Sequence, residues 1–423
     1  MTTDVHEPRG GPGRTDETVH AGAAPRRRVH HGRGFWLLAY GFAVMMAFSA
    51  APTPLYVLYQ QRDGFGPFTV TLVFAAYAVG VVASLFTVGH LSDQVGRRRL
   101  LLPAVALNML AGVVFLLPGV PGVPALLVAR FISGISIGVV TATATAYLTE
   151  LHVAARPGAS RRRADLVATA ANIGGIGLGP LLAGLLAEYA PHPLTTPFVV
   201  FEVLLTLGLI GAALLPETVS RVPLRYRPQR VAVPAASRRR YLAACATGFA
   251  SFAVFGLFTS LAPGFLVGAL HQRSHAVAGL VAFAVFASGV AGQVLTLRSA
   301  LGRQLRVGLA LLAVGLGTLV AGVWLASLAL FVVGGVLSGA GAGAVFKGSV
   351  ATVFTVAGTR ARGEALAGLF LGGYVGLAVP VLGLGLATQH LSARSALIGF
   401  AAVLLALLVV AVRPLLARPR TDR

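Results

Sequence analysis

Charged side chains are what this chain has least of. Asp, Glu, Lys and Arg make up 11% of its 423 residues, where a soluble globular protein carries about 25%. With 56% hydrophobic residues and a mean hydropathy of +0.81, a water-soluble fold has no way to hide so much apolar surface. The one cysteine, Cys245, excludes an intrachain disulfide and a thiolate metal cluster. Lys347 is the one lysine, and the two asparagines, Asn108 and Asn172, lie outside any glycosylation sequon. No Gly-x4-Gly-Lys-Ser/Thr phosphate loop is present. There are 13 acids, and hardly any falls inside an apolar stretch. That removes the inward-facing His, Asp and Glu sets of a polytopic membrane enzyme, so neither catalysis, a metal nor a cofactor is expected.

Apolar runs are what it has most of. Twelve are read, at 35–60, 68–91, 100–118, 124–149, 165–189, 194–215, 241–264, 276–297, 307–325, 327–350, 365–388 and 395–416. Most exceed the roughly 20 residues that cross a bilayer as a helix. Net charge is +21, which in a soluble chain points to nucleic acid. The distribution of the charge excludes that partner. Placing the amino terminus in the cytoplasm puts 29 of the 34 basic residues on that side and only Arg62, Arg273 and Arg394 on the other. So strong an asymmetry in short loops sets both termini in the cytoplasm, with the basic face against anionic lipids. Residues 1–34 lack an apolar run and are expected to form a disordered basic tail rather than a cleaved signal. That arginine supplies 33 of the 34 basic residues suits a bacterial inner membrane and a GC-rich genome.

The longest connection, 216–240, carries seven arginines interrupted by Pro223, Pro228 and Pro234. It divides the chain into a half at 35–215 and a half at 241–416, followed by a short tail at 417–423. Ser133-Gly134-Ile135-Ser136-Ile137-Gly138 in the fourth span matches Ser338-Gly339-Ala340-Gly341-Ala342-Gly343 in the tenth, and Gly96-Arg97 recurs as Gly302-Arg303. The offsets, 205 and 206 residues, agree with a duplication of six-span halves. The fold class is therefore all-α: twelve transmembrane helices in two pseudo-symmetric halves.

Between the second and third spans lies Gly89-His90-Leu91-Ser92-Asp93-Gln94-Val95-Gly96-Arg97-Arg98-Arg99. Two glycines permit a tight turn, and the acid and arginines are able to pair in one conformer and part in another. The loop resembles the signature loop (motif A) of the major facilitator superfamily of secondary transporters, with Gly89, Leu91, Asp93, Gly96, Arg97 and Arg98 all in place. The resemblance implies a conformational switch in which the loop locks the cytoplasmic gate and Arg97 meets an acid at the end of the fourth span, here Glu150. Glu364, at the start of the eleventh span, is a departure, because a second acid near Asp93 repels it unless Arg98 or Arg360 intervenes. A purely topological role for Arg97 to Arg99 is the plain alternative.

Arg130-x3-Gly134-x3-Gly138 resembles the fourth-span pattern (motif B) of proton-coupled members. Glu202 is the one acid well inside a span, at nearly the depth of Arg130. Pairing of the two, with Glu202 as the protonatable group, is one expectation. Snorkelling of Arg130 to the headgroups and a lone Glu202 are the alternative. In the fifth span Gly175-x3-Gly179-Pro180-x2-Ala183-Gly184 is similar to the antiporter motif (motif C), which implies export in exchange for protons; an ordinary proline kink is its plain reading. Tyr40, Phe48, Tyr56, Phe249, Phe252 and Phe255 are candidates to line a cavity for a flat lipophilic solute, and Lys347 is either a cavity cation or a snorkelling one. Pro52 and Pro54 should bend the outer half of the first span.

These resemblances imply a carrier working by alternating access as a monomer. Its partners are a small-molecule substrate and protons, and the proton gradient is its energy source. An uptake symporter on the same fold and a non-transporting membrane sensor or scaffold are the rival readings.

Overall fold

A computed structural model describes residues 28–88, 91–117, 122–219, 237–357 and 362–416. Gly89, Arg360 and most of the connection 216–240 lie outside these residues. Twelve helices long and apolar enough to cross a membrane are found among them. They are α1 (His31–Asp63), α2 (Pro67–Thr87), α3 (Arg97–Leu116), α4 (Gly122–Ala155), α5 (Arg162–Tyr189), α6 (Thr196–Ala213), α7 (Arg238–Ser260), α8 (His275–Leu295), α9 (Leu301–Trp324), α10 (Leu328–Val356), α11 (Arg362–Ala387) and α12 (Ala393–Leu415). Each falls on one of the twelve apolar runs. Backbone polar groups in hydrocarbon must be satisfied within the segment, so an apolar run of this length becomes a helix.

Departures from regular helix sit where the sequence dictates them. Pro52 caps and Pro54 lies within a 3-10 turn at Thr53–Leu55 in the C-terminal part of α1, where the prolines are expected to bend the helix. Helix α5 contains a π turn at Ala170–Gly174, six residues before Pro180. Helix α4 runs for 34 residues, about 51 Å at 1.5 Å per residue, and so carries Glu150 beyond a hydrocarbon core about 30 Å thick.

Packing repeats between the halves. In the first, α4 crosses α2 and α3, and α1 packs on α4, α5 and α6. In the second, α10 crosses α8 and α9, and α7 packs on α10, α11 and α12. The duplicated segment marks the equivalent crossings. A Cβ at Gly134 would strike the Tyr77 carbonyl of α2, and one at Gly339 the Val285 carbonyl of α8. Gly138 and Gly343 lie against Val81 and Gly289 in the same fashion. Small residues let helix backbones touch in a solvent that gives no hydrophobic drive to association. The two halves meet along α5–α8 and along α2–α11.

Candidate functional site

Between the halves lies a cavity of about 590 Å³, within the range of small-molecule sites. Its two walls differ. The N-terminal half supplies Thr141, Thr145 and Thr149 of α4, with Asp165, Thr169 and Asn172 of α5. The C-terminal half supplies Phe252, Phe255, Phe286, Phe346, Phe370 and Tyr374, which are six of the eight aromatic rings on the lining. Thr145 is exposed although it lies well short of the end of α4, so water reaches the cavity from the end that carries Thr149 and Asp165. That end is the face to which the arginine-rich loops belong. At the opposite end Ser49, Tyr77, Arg130 and Thr259 are all buried.

The far end is closed by contacts between halves. Thr53 Oγ1 donates to the Thr259 carbonyl at 3.0 Å, and the His275 N–H at the start of α8 donates to Glu188 Oε2 at 2.7 Å. The carboxylate of Glu188 thereby satisfies one of the unpaired donors at a helix N-terminus and sits favourably at its positive end.

Arg130 forms part of the cavity floor and is 2% exposed. Its Nη1 donates to the Ser49 carbonyl of α1, its guanidinium lies 4.3 Å from the Tyr77 ring centroid and 5.6 Å from that of Phe74, and its Nε has no partner. It does not snorkel, and it does not meet Glu202. The carboxylate of Glu202 packs instead against Gly112 of α3 beside the Phe48 ring edge, with Oε1 buried and unpartnered. Equal depth does not make two side chains neighbours. Glu202 lies on the Phe48 side of α1 and Arg130 on the Ser49 side, and successive residues of a helix point about 100° apart. The expected Arg130–Glu202 pair is therefore absent.

The aromatic candidates also sort by direction. Phe252 and Phe255 line the cavity, but Tyr40, Phe48, Tyr56, Phe249 and Lys347 are not on its lining. Tyr40 donates to the Leu204 carbonyl of α6. Phe48 is packed edge-on to Phe115, Phe198 and Phe201 inside the first half. Tyr56 is fully buried, and the backbone of Phe249 abuts Gly376 of α11. Lys347 Nζ donates to the Gln293 carbonyl at 3.2 Å, which joins α10 to α8 within one half.

In α5 the glycine motif divides its contacts between two neighbours. An added Cβ would lie 2.8 Å from the Ala43 carbonyl at Gly175 and would strike the Ala47 carbonyl at Gly179, both on α1. At Gly184 it would strike the His275 carbonyl of α8, and at Gly279 of α8 it would strike the Pro180 carbonyl. One helix face thus holds α5 to its own half, and the next faces the other half across the α5–α8 seam.

The loop after α2 is a node of ion pairs. Arg97 Nη1 stands 2.5 Å from Asp93 Oδ1, and its Nη2 stands 2.9 Å from Glu150 Oε1. Nη1 also donates to Ser92 Oγ at 2.7 Å. The planar fork of Arg97 satisfies three partners at once, a geometry that lysine cannot reproduce.

A sequence model of the Major Facilitator Superfamily matches residues 36–314. The chain belongs to that superfamily. No curated protein matches it by sequence. Its fold is similar to that of a bacterial homolog of the human lysosomal transporter Spinster, solved inward-facing and unoccupied, with a TM-score of 0.69 at 14% identity over 92% of this chain and 99% of that one. The nucleoside transporter NupG gives 0.70 at 10% identity, over 90% and 99%. The human organic anion transporter TETRAN gives 0.65 at 18%, over 91% and 100%.

In this Major Facilitator Superfamily chain the node extends to a residue that sequence reasoning missed. Glu217, just past α6, accepts from the backbone N–H of Arg97 at 2.8 Å and of Arg98 at 3.2 Å. It caps the start of α3, where four N–H groups lack helical partners. Gly96 makes the cap possible: its φ is +114°, and a Cβ there would lie 2.7 Å from Glu217 Oε2. Thr218 Oγ1 donates to Glu150 Oε2 at 2.5 Å, so the loop and the ends of α4 and α6 form one unit. The signal that points to it is the Pro216-Glu217-Thr218 sequence ending an apolar run beside an arginine-rich loop.

Proposed function

We propose that this chain is a secondary active transporter that works by alternating access and exports a small lipophilic solute in exchange for protons. The observation that carries the reading is the largely apolar cavity between the halves, with one aromatic wall, wet at the basic face and shut at the other by the α5–α8 and Thr53–Thr259 contacts. Rocking the halves about such a site exposes it to each side in turn. The antiporter-like glycine motif on the α5–α8 seam supports export, because backbone contact along that seam seals the far end against leak while the near end is open. The proton gradient suffices as the energy source. One charge moved through 100 mV releases about 2.3 kcal/mol, which sustains roughly fifty-fold accumulation at about 1.4 kcal/mol per decade.

Glu202 is the coupling carboxylate in this reading, acting through the α3–α6 contact rather than through Arg130. Asp93, Arg97, Arg98, Glu150 and Glu217 form the switch at the basic face. The working unit is a monomer in a bacterial inner membrane, both termini cytoplasmic, its arginines against anionic lipids.

The test is accumulation of a panel of cationic, neutral and anionic lipophilic dyes in pump-deficient bacteria, with and without a protonophore, beside an Asp93→Asn variant. Expression of the wild type should lower accumulation of at least one dye, and the protonophore should restore it. A dye that accumulates more in expressing cells would turn the reading to uptake. Equal accumulation of every dye at normal membrane expression would remove multidrug export.

A further inference from the structure

We infer that the solute carried is an amphipathic monoanion, its acidic group held at Arg130 and its apolar body laid against the aromatic wall of the C-terminal half. The inference rests on the transport reading above and names the class of substrate for the same cavity.

The argument starts from an uncompensated charge. A guanidinium removed from water is stable when a carboxylate or a full set of acceptors replaces its hydration. Arg130 has neither. Among the described residues its hydrogen-bond acceptor is the Ser49 carbonyl alone, two rings provide cation–π contact, Nε is unpartnered, and no carboxylate pairs with it. Arg130 and Asp165 are the two charged residues on the lining, and they are not equivalent. Asp165 stands exposed at the wet mouth, where water screens it, whereas Arg130 is buried at the floor. An entering solute therefore meets an unscreened positive charge at the end of its path. A cation is repelled there, and an anion supplies the missing partner.

The walls fix the rest of the molecule. Thr141, Thr145 and Thr149 donate their hydroxyl hydrogens to the carbonyls of Ile137, Thr141 and Thr145, four residues back in α4. With those donors engaged, the hydroxyls offer lone pairs to the cavity, so the matching edge of the solute carries donors such as hydroxyl or amide N–H. Facing them are the aromatic rings of α7, α8, α10 and α11, including the stacked pair Phe255 and Phe286 with centroids 4.7 Å apart. An apolar, flat body is what such a wall desolvates best.

The deciding experiment uses the full chain in proteoliposomes and three probes of one shape. These are naphthalene sulfonate, neutral naphthalene sulfonamide and a naphthyl trimethylammonium, each followed by counterflow and corrected for protein-free liposomes. Wild type should move the sulfonate fastest and the ammonium least. Arg130→Gln should lower the ratio of sulfonate to sulfonamide counterflow roughly ten-fold or more, the usual consequence of losing a hydrogen bond between charged groups. Arg130→Lys should retain part of the sulfonate preference. Loss of charge selectivity is not what a merely structural arginine would give, since a structural defect lowers the flux of all three probes alike. If Arg130→Gln does not fold, as judged by its melting in detergent, the wild-type order of the three probes and Arg130→Lys still decide. Ammonium counterflow equal to that of the sulfonate overturns the anion assignment and leaves transport standing. Movement of none of the three by folded wild type removes the lipophilic-solute reading and this inference with it.

Discussion

Arg97 and Glu150, 53 residues apart in sequence, stand 2.9 Å apart and fasten the loop after α2 to the basic end of α4. Because Thr218 also donates to Glu150 and Glu217 caps α3, the pair is the centre of a network confined to one half. A network confined to one half moves as a body when the halves rock.

Glu150→Gln removes the charge but keeps the shape, leaving Asp93 as the one carboxylate paired with the mostly buried Arg97. The expected cost is about 1–3 kcal/mol of stability, the range for an unsatisfied charged hydrogen-bonding group, visible as a lowered melting temperature in detergent. Turnover should fall while substrate affinity holds, since the pair lies off the cavity lining. Arg97→Lys should resemble Glu150→Gln rather than wild type; a lysine variant with wild-type melting would show that the fork is not what matters.

Gly179→Ala drives a methyl into the Ala47 carbonyl and must part α1 from α5. We expect loss of several degrees in melting temperature and of most transport. Gly317→Ala, in α9 with nothing within 4 Å of the new methyl, should be neutral or stabilising by up to about 1 kcal/mol through helix propensity. Equal effects from the two would mean that α5 tolerates separation from α1.

Glu202→Gln is the test of coupling. The half-buried side chain already holds Oε1 without a partner against Gly112 and the Phe48 ring, so the neutral amide should fold normally. Proton-driven accumulation should disappear while counterflow, which needs no net proton movement, continues. Unchanged concentrative transport would move the coupling role to another acid.

Phe252→Ala and Phe48→Ala separate lining from core. The first should weaken substrate binding several-fold and leave melting nearly unchanged. The second empties a site among three aromatic rings and should cost about 3–5 kcal/mol, with little change in selectivity for whatever protein survives.

The spans were legible in the sequence because bilayer thickness imposes their length, and the Arg97–Glu150 contact because the loop resembles motif A, which implies an acid for Arg97 at the end of the fourth span. The duplicated glycine segment was legible for a related reason: backbone contact at Gly134 and Gly339 admits no side chain, so both halves must keep small residues there. Which aromatics face the cavity was not legible. Helices such as α1 and α7 are apolar on every side and buried on most of their surface, so nothing in their pattern separates a ring toward a neighbour from a ring toward solute. Phe252 and Phe249 are three positions apart in one helix and both lie against α11, yet Phe252 reaches the cavity lining and Phe249 does not. Depth along the membrane normal was readable for Arg130 and Glu202, but azimuth was not, and azimuth separates them.

The unlike walls of the cavity have a bearing on how such a protein diversifies. Recognition of the polar edge is encoded in α4 and α5, and recognition of the apolar body in α7, α8, α10 and α11. Those helices belong to different halves of the gene. Drift in the second half can enlarge or reshape the accepted ring system without disturbing the group read by Arg130, and an exchange of halves between duplicated copies would recombine head and body preferences in one event.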